Sequence, residues 1–242
     1  MNTAVICICK NEENYIKEWI DHYFSLGFDK IFVCDNNDVG NDSMYDIIKG
    51  LNNENVIYSD WRGKQFCQVE CYTKLYADYK NSFDWILFCD TDEFLEFKDK
   101  SQNIKTFLSN PIFENACEVR FCWQLYDDNG LLDVFDGNYS VKRFTHHLPP
   151  DYKRQDQCKS IIQTKFWDGK IHAHGVYDSN ILAVDSTGVK CNNKGCTIST
   201  DCTQILGDAW MNHYRTKTVG EYIRFKMFRG DALSKNLLKK KR

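Results

Sequence analysis

The sequence predicts an α/β protein whose first half is a doubly wound, Rossmann-like sheet. Three observations predict it. Apolar runs recur along residues 1–90 as AVICIC, KIFVCD, NVIYSD and WILFCD. Stretches of helical periodicity separate them. Each run stops at polar or acidic residues. Short continuous apolar runs read as strands buried on both faces. Crossovers through helices make such strands parallel and place helices over both faces of the sheet.

The elements follow in order. AVICIC is the first strand. Asn11 is expected to cap a helix, with Glu12 and Glu13 in its first turn favoured by the helix dipole. Ile16, Trp19, Ile20, Tyr23 and Phe24 recur at helical spacing, and Gly27 fits the C-terminal stop. KIFVCD is the second strand. Ser43 is placed to cap a short helix through Ile47, Ile48 and Leu51. NVIYSD is the third strand, and a helix over about 65–79 carries Phe66, Val69, Tyr72, Leu75, Tyr76 and Tyr79. WILFCD is the fourth.

Beyond Phe97 the rhythm changes. A helix near 101–108 precedes a strand at CEVRFCW. A polar, aromatic-rich region runs over about 126–152. KSIIQTKF, KIHAH and NILAVD read as strands, and a last helix is expected over about 218–233. No linker separates the two halves, so residues 1–233 read as one domain, followed by a basic tail over 234–242.

Composition narrows the classes. The chain has 242 residues, 43% hydrophobic and 27% charged, in the range of a globular protein. A formal net charge of −3 gives no pull toward nucleic acid. TAVICIC ends at Lys10, too short for the apolar region of a leader peptide, and no stretch is long enough to span a bilayer. The expected location is the cytosol. The 12 cysteines lie mostly within apolar runs, where Cys acts as a small buried hydrophobe. In a reducing compartment they stay free. Cys158, Cys191, Cys196 and Cys202 lack the CxxC pairing of a zinc site.

The strand ends carry the chemistry. The first strand runs into Lys10, Asn11 and Glu12. The second ends in Asp35, Asn36 and Asn37, the third in Asp60, the fourth in Asp90, Thr91 and Asp92. Ligands of an open parallel sheet bind outside the carboxyl ends of its strands, so these acids converge on one edge. Asp favours turns and caps, which accounts for one or two of these ends less well than for all four. Clustered carboxylates repel unless a cation or hydrogen-bond donors offset them. A divalent hard cation does so and also grips phosphates.

With their surroundings, these residues resemble the GT-A glycosyltransferases, in the family-2-like and family-92-like branch. VICICKNEENYIKEWIDHYFSLGFDKIFVCDNND resembles the opening strand, Asn-Glu turn, helix and second strand. DWILFCDTDEFL resembles the Asp-x-Asp-Glu-Phe metal motif. VRFCWQLYDDNG, KSIIQTK and NHYRTKTVGEYIRFKMFRG resemble later segments. Asp-x-Asp alone is a weak signal; in register with the other blocks it is specific.

The resemblance implies a GT-A fold, with a nucleotide-sugar-binding half over 1–97 and a mixed acceptor half over 98–233. It implies transfer of a sugar from a nucleotide-sugar donor, UDP-linked, to a glycan or lipid-linked acceptor hydroxyl, with inversion. Mn2+ or Mg2+ bridges the diphosphate to Asp92 and Asp90. Asp35 contacts the base or ribose, with Asn36 and Asp60 on the same side, and Lys10, Asn11 and Glu12 line the nucleotide pocket. A late His, either His213 or His174, completes the metal set.

An inverting reaction needs a base for the attacking hydroxyl. Asp128 is the candidate, with Asp127 beside it, in a turn where the family often carries Phe-Gly-x-x-Gly. Asp151 and Asp156 are others. His172 and His174 alternate on the expected strand and so face one side. His146 and His147 lie where an acceptor could border them, and Lys217 and Arg229 are candidate phosphate partners. The tail LLKKKR is suited to peripheral contact with an anionic membrane.

Two rivals remain. One is a metal-dependent phosphotransferase with an aspartyl nucleophile, although its motif normally follows the first strand. The other is a Ca2+-dependent sugar-binding module. A dehydrogenase is excluded, since no G-x-G-x-x-G follows the first strand.

Overall fold

In the computed structural model the structure describes residues 1–133, 139–149, 157–191 and 206–227. The four expected strands are present: β1 (Thr3–Cys9), β2 (Lys30–Asp35), β3 (Val56–Asp60) and β4 (Trp85–Phe88). They pair in parallel, β2 with β1 and β3, and β1 with β4. Helices α1 (Ile16–Ser25), α2 (Ser43–Gly50) and α3 (Gln68–Tyr79) make the crossovers. Every residue of β1 is buried. Val5, Cys7 and Cys9 pack with the apolar faces of α1 and α2, while Ala4, Ile6 and Ile8 pack with that of α3. This two-sided burial is why the strand reads as an unbroken apolar run.

The second half continues the same sheet. It adds β5 (Glu93–Phe97), β6 (Glu118–Leu125), β7 (Cys158–Gln163), β8 (Ala183–Asp185) and β9 (Ala209–His213). The strand order is β3-β2-β1-β4-β7-β6-β9-β5, with β8 also on β6. β7 runs antiparallel to both β4 and β6, and β9 lies parallel to β6 and antiparallel to β5. A parallel half therefore passes into a mixed half without a break. Helix α4 (Ile104–Leu108) begins at a capping box between Asn103 and Thr106.

Several local expectations are corrected. Asn11 does not cap α1. It takes φ +57°, donates its N–H to Asn37 Oδ1 at 2.8 Å, and the helix begins only at Ile16. Ser43 does not cap α2 either; its hydroxyl donates to Glu13 and Asn41 instead. Gly27, at φ +87°, does stop α1, with its N–H on the Phe24 carbonyl. KIHAH is not a strand. His172 and Gly175 bridge across a tight turn, so His172 and His174 do not share a face. Gly175, at φ +133°, is required there, because a Cβ would fall 1.8 Å from Glu118 Oε1. β5 and β9 were not expected.

The late helix is present over the described part of its expected range, 219–227, and its expected end lies outside the described residues. α5 (Ser140–Arg143) and α6 (Val219–Glu221) are single turns, and α6 passes into a π-helix, Tyr222–Met227. The basic tail, Asp151, Asp156, Arg229, Cys196 and Cys202 lie outside the described residues. Among the described residues, Cys7, Cys9, Cys34, Cys67, Cys71, Cys89 and Cys117 are free and buried. Among the described residues no helix is long and apolar enough to cross a membrane.

One buried clamp fixes the late segment. Glu221 accepts both guanidinium bonds of Arg143 at 2.8 Å, the Tyr15 hydroxyl at 2.6 Å and the Thr218 N–H at 2.9 Å. Burial alone raises its carboxyl, but the Arg143, Tyr15 and Thr218 hydrogen bonds outweigh it and bring it down to about 2. A depressed carboxyl stabilises the fold above its unfolded value of about 4.3, and that stability is lost as pH falls toward the folded value. Glu221→Gln is therefore expected to cost about 3–5 kcal/mol in urea denaturation at neutral pH, since it removes the charge that pairs with the buried Arg143 guanidinium. Its stability should also fall less steeply than the parent's below about pH 4.5.

Candidate active site

The strand directions bring one set of termini to a single edge. Cys9 pairs with Asp35 and Asp35 with Asp60, so the ends of β1, β2 and β3 are level. Glu93 at the start of β5 pairs with His213 at the end of β9, and His213 pairs with Leu125 at the end of β6. Lys159 enters at the start of β7, beside the end of β4.

The turn 90–93 is held from beneath by α1. The Trp19 indole N–H lies 3.1 Å from the carbonyls of both Asp90 and Glu93. The Tyr23 hydroxyl donates to the Glu93 carbonyl at 3.1 Å. Within the turn, the Asp90 N–H donates to Glu93 Oε2 at 2.7 Å. The face of α1 that fills the core thus also fixes the motif.

Three buried lysines meet the acids. Lys159 lies 3.0 Å from Asp90 Oδ2 and 3.5 Å from Glu93 Oε2, and donates to the Ala173 carbonyl. Lys217 pairs with Glu12 at 2.9 Å. Lys226 sits on Asp92 Oδ2 and donates to the Arg215 carbonyl at 2.8 Å. Gln68 donates to Asp90 Oδ1 at 3.2 Å. Burial opposes ionisation of Asp92, yet Lys226 and then His213 hold its carboxyl well below the usual range. Burial likewise opposes ionisation of Asp90, and Lys159 outweighs it. Glu93 goes the other way: burial, reinforced by Asp90 and Asp92, pushes it well up despite Lys159. Glu93 is thus the acid whose charge burial disfavours, while Asp90, Glu12 and Asp92 each have an ammonium group beside them.

Both candidate histidines border this cluster. His213 Nε2 is 3.6 Å from Asp92 Oδ2, while its Nδ1 is buried without a hydrogen-bond partner. The Trp123 ring lies against both His213 and His174. His174 Nδ1 is 2.8 Å from the Cys158 carbonyl, which must accept, so the Nε2 of the neutral ring carries the lone pair. Burial, with Lys159 nearby, pushes His174 down to about 4.

The donor set fits a divalent cation. A carboxylate and an imidazole share one position, and the Lys226 ammonium stands there as a tethered cation. Among the described residues no three His, Cys, Asp or Glu groups form a metal cage. Mg2+-like ions are commonly held by one or two protein groups, with substrate phosphates completing the shell.

The nucleotide-side residues lie along the same edge. Asp35 is fully buried and accepts the Asn37 N–H and the Tyr58 hydroxyl, each at 2.9 Å; burial raises its carboxyl. Asn36 donates to the carbonyls of Trp61 and Lys64, joining the loops after β2 and β3. Asp60 accepts two bonds from the Arg62 side chain, and Lys10 pairs with Asp38. Asp127 and Asp128 leave the end of β6 at this edge and accept the N–H groups of Asn129 and Gly130. His146 donates its N–H to Asn129 within the same loop. Lys159, Lys226, Gln68 and Trp19 were not expected as site residues. Lys159 carried a signal, a lysine inside the apolar run CKSII. Lys226 carried none.

A parallel half with an Asp-x-Asp-Glu turn at the end of its fourth strand, continued by a mixed half in one sheet, defines the GT-A fold of nucleotide-diphospho-sugar transferases. Residues 2–121 match the family model of glycosyltransferase family 92. A glycosyltransferase family 92 protein of Arabidopsis thaliana is 27% identical over 178 residues, covering 65% of this chain and 28% of its own length. The chain thus spans little more than a quarter of that relative.

Among solved structures, a mannosyltransferase of Pyrobaculum calidifontis in complex with GDP-Man and Mn2+ is 14% identical with a TM-score of 0.39, covering 50% of this chain and 35% of its own. S. aureus TarS is 17% identical with a TM-score of 0.39, covering 68% and 47%. Likeness at this level adds nothing to the strand order itself.

Trp19→Phe keeps an aromatic ring in the core and removes the N–H that supports Asp90 and Glu93. It is expected to lower stability by about 1–3 kcal/mol in chemical denaturation, against about 3–5 kcal/mol for Trp19→Ala.

Proposed function

We propose that this protein transfers a sugar from a nucleotide-sugar donor, UDP-linked, to a hydroxyl of a glycan or lipid-linked acceptor, with inversion and with Mn2+ or Mg2+ as cofactor. The observation that carries this reading is the meeting of Asp90, Asp92 and His213 at one sheet edge, in a chain whose first half matches family 92. Asp92 and His213 hold the cation, with Asp90 and His174 beside them. Bound there, a divalent ion supplies Lewis-acid stabilisation of the departing diphosphate.

The remaining steps belong to the chain. Asp35, Asn36, Asp60, Lys10, Asn11 and Glu12 border the nucleoside side of the donor, in loops already cross-linked to one another. Asp128 takes the proton of the attacking hydroxyl, with Asp127 next to it. Buried free thiols suit a reducing, cytoplasmic setting. Peripheral membrane contact through the basic tail suits a lipid-linked acceptor.

A screen of nucleotide sugars for hydrolysis with Mn2+, together with calorimetry of UDP binding, tests the reading. Asp92→Asn is expected to lower Mn2+-dependent donor hydrolysis by roughly a hundredfold or more, the scale of losing one contact to developing charge, while circular dichroism stays native. Unchanged hydrolysis removes the metal assignment. Asp128→Asn should lower kcat by about 10²–10⁴-fold with UDP binding intact. Glycan binding with Ca2+ alone, or phosphate release from phosphomonoesters, points instead to a binding module or a phosphotransferase.

A further inference from the structure

Lys226 is the late residue with the closest bearing on Asp92. Its ammonium contacts Asp92 Oδ2, the oxygen that faces His213 Nε2 at 3.6 Å. Its side chain is 6% exposed, and its second bond, to the Arg215 carbonyl, points it inward. Lys159 and Lys217 are committed to other carboxylates, so Lys226 is the ammonium paired with Asp92. A divalent ion and an ammonium cannot share one carboxylate oxygen, because two cations at contact repel strongly in a dry site.

Tyr222–Met227 is π-helical, a rare geometry found mostly as single turns at functional sites. Its base is fixed by the Thr218 capping box and the Arg143–Glu221 clamp.

We propose that Lys226 is a tethered cation that occupies the metal position of the ligand-free protein, and that a divalent ion arriving with the donor diphosphate displaces it. This rests on the reading of Asp92 as a metal ligand. The ion brings two positive charges and a nucleotide-sugar diphosphate two negative ones, so loading adds no net charge to the site. The displaced ammonium swings toward the diphosphate, the new negative group at the edge. Metal alone binds weakly, because it must evict a partner that is always present. Metal and nucleotide bind synergistically.

The test is Mn2+ binding, read by the electron paramagnetic resonance of free Mn2+, with and without UDP and without turnover. The parent should bind Mn2+ about tenfold or more tightly when UDP is present. Lys226→Met should bind Mn2+ alone about tenfold more tightly than the parent, while Lys226→Arg, which keeps the charge, should behave as the parent. Mn2+ alone should raise the Tm of Lys226→Met and leave the parent's unchanged. If Lys226→Met folds only when refolded with Mn2+, the inference is supported; if Mn2+ does not restore its fold, it is overturned. Equal Mn2+ affinity of parent and Lys226→Met without UDP overturns the inference, and persisting UDP-dependent Mn2+ binding then leaves the metal reading standing. No Mn2+ binding by the parent even with UDP overturns both.

Discussion

Glu12, Asp90, Asp92 and Glu93 cluster on one stretch of the sheet edge, and buried lysines hold three of them there. Glu12, Asp92 and Glu93 are almost entirely removed from water, where an unpaired charge costs several kcal/mol. Three ammonium groups answer three of the four, and burial disfavours charge on the fourth, Glu93. Such pairs do not stabilise a fold much in themselves, since desolvation consumes most of the attraction. Their effect is to fix where charge can sit. The loops after β1 and β4, the start of β7 and the segment 215–226 must close on one another, or a buried charge is left without its counter-ion.

Packing and chemistry meet in α1. Its inward face, Ile16, Trp19, Ile20 and Tyr23, fills the core against β1 and β2. The same Trp19 and Tyr23 reach past the core to the backbone at 90–95. Its next side chain, Glu18, accepts the N–H groups of Ser140 and Val141 and so positions α5. One helix of the first half therefore sets the turn 90–93 and anchors the segment opposite. The sheet does the same on a larger scale: β7, antiparallel to β4, delivers Lys159 to an edge otherwise made of strand ends.

Much of this was legible in the residues. β1 to β4 stood out because burial on both faces leaves unbroken apolar runs, and their acidic ends marked the functional edge. Asp90, Asp92 and His213 were readable as one constellation. β5 and β9 were not, because EFLEF and AWMNH turn polar residues inward to the site and so lose the apolar signature of a strand. The turn at His172 was hidden because a His-x-His alternation fits a strand, whereas the Gly175 that breaks it matters only through Glu118, far away in sequence. Asn11 looked like a cap on residue type alone; the partner that claims its N–H is Asn37, across the sheet edge. The lysines show the general limit. A counter-ion is chosen by three-dimensional proximity, and no spacing in the chain encodes it.

The order of these charges along the chain has a consequence for assembly. Glu12, Asp90, Asp92 and Glu93 all lie within the first 97 residues, and every ammonium that answers them comes later, at 159, 217 and 226. During synthesis the nucleotide half leaves the ribosome with its negative edge uncompensated. It can form its parallel strands at that stage, but the edge closes only when the last of the lysines has emerged. A chain cut short before residue 217 therefore lacks the counter-ions of Glu12 and Asp92.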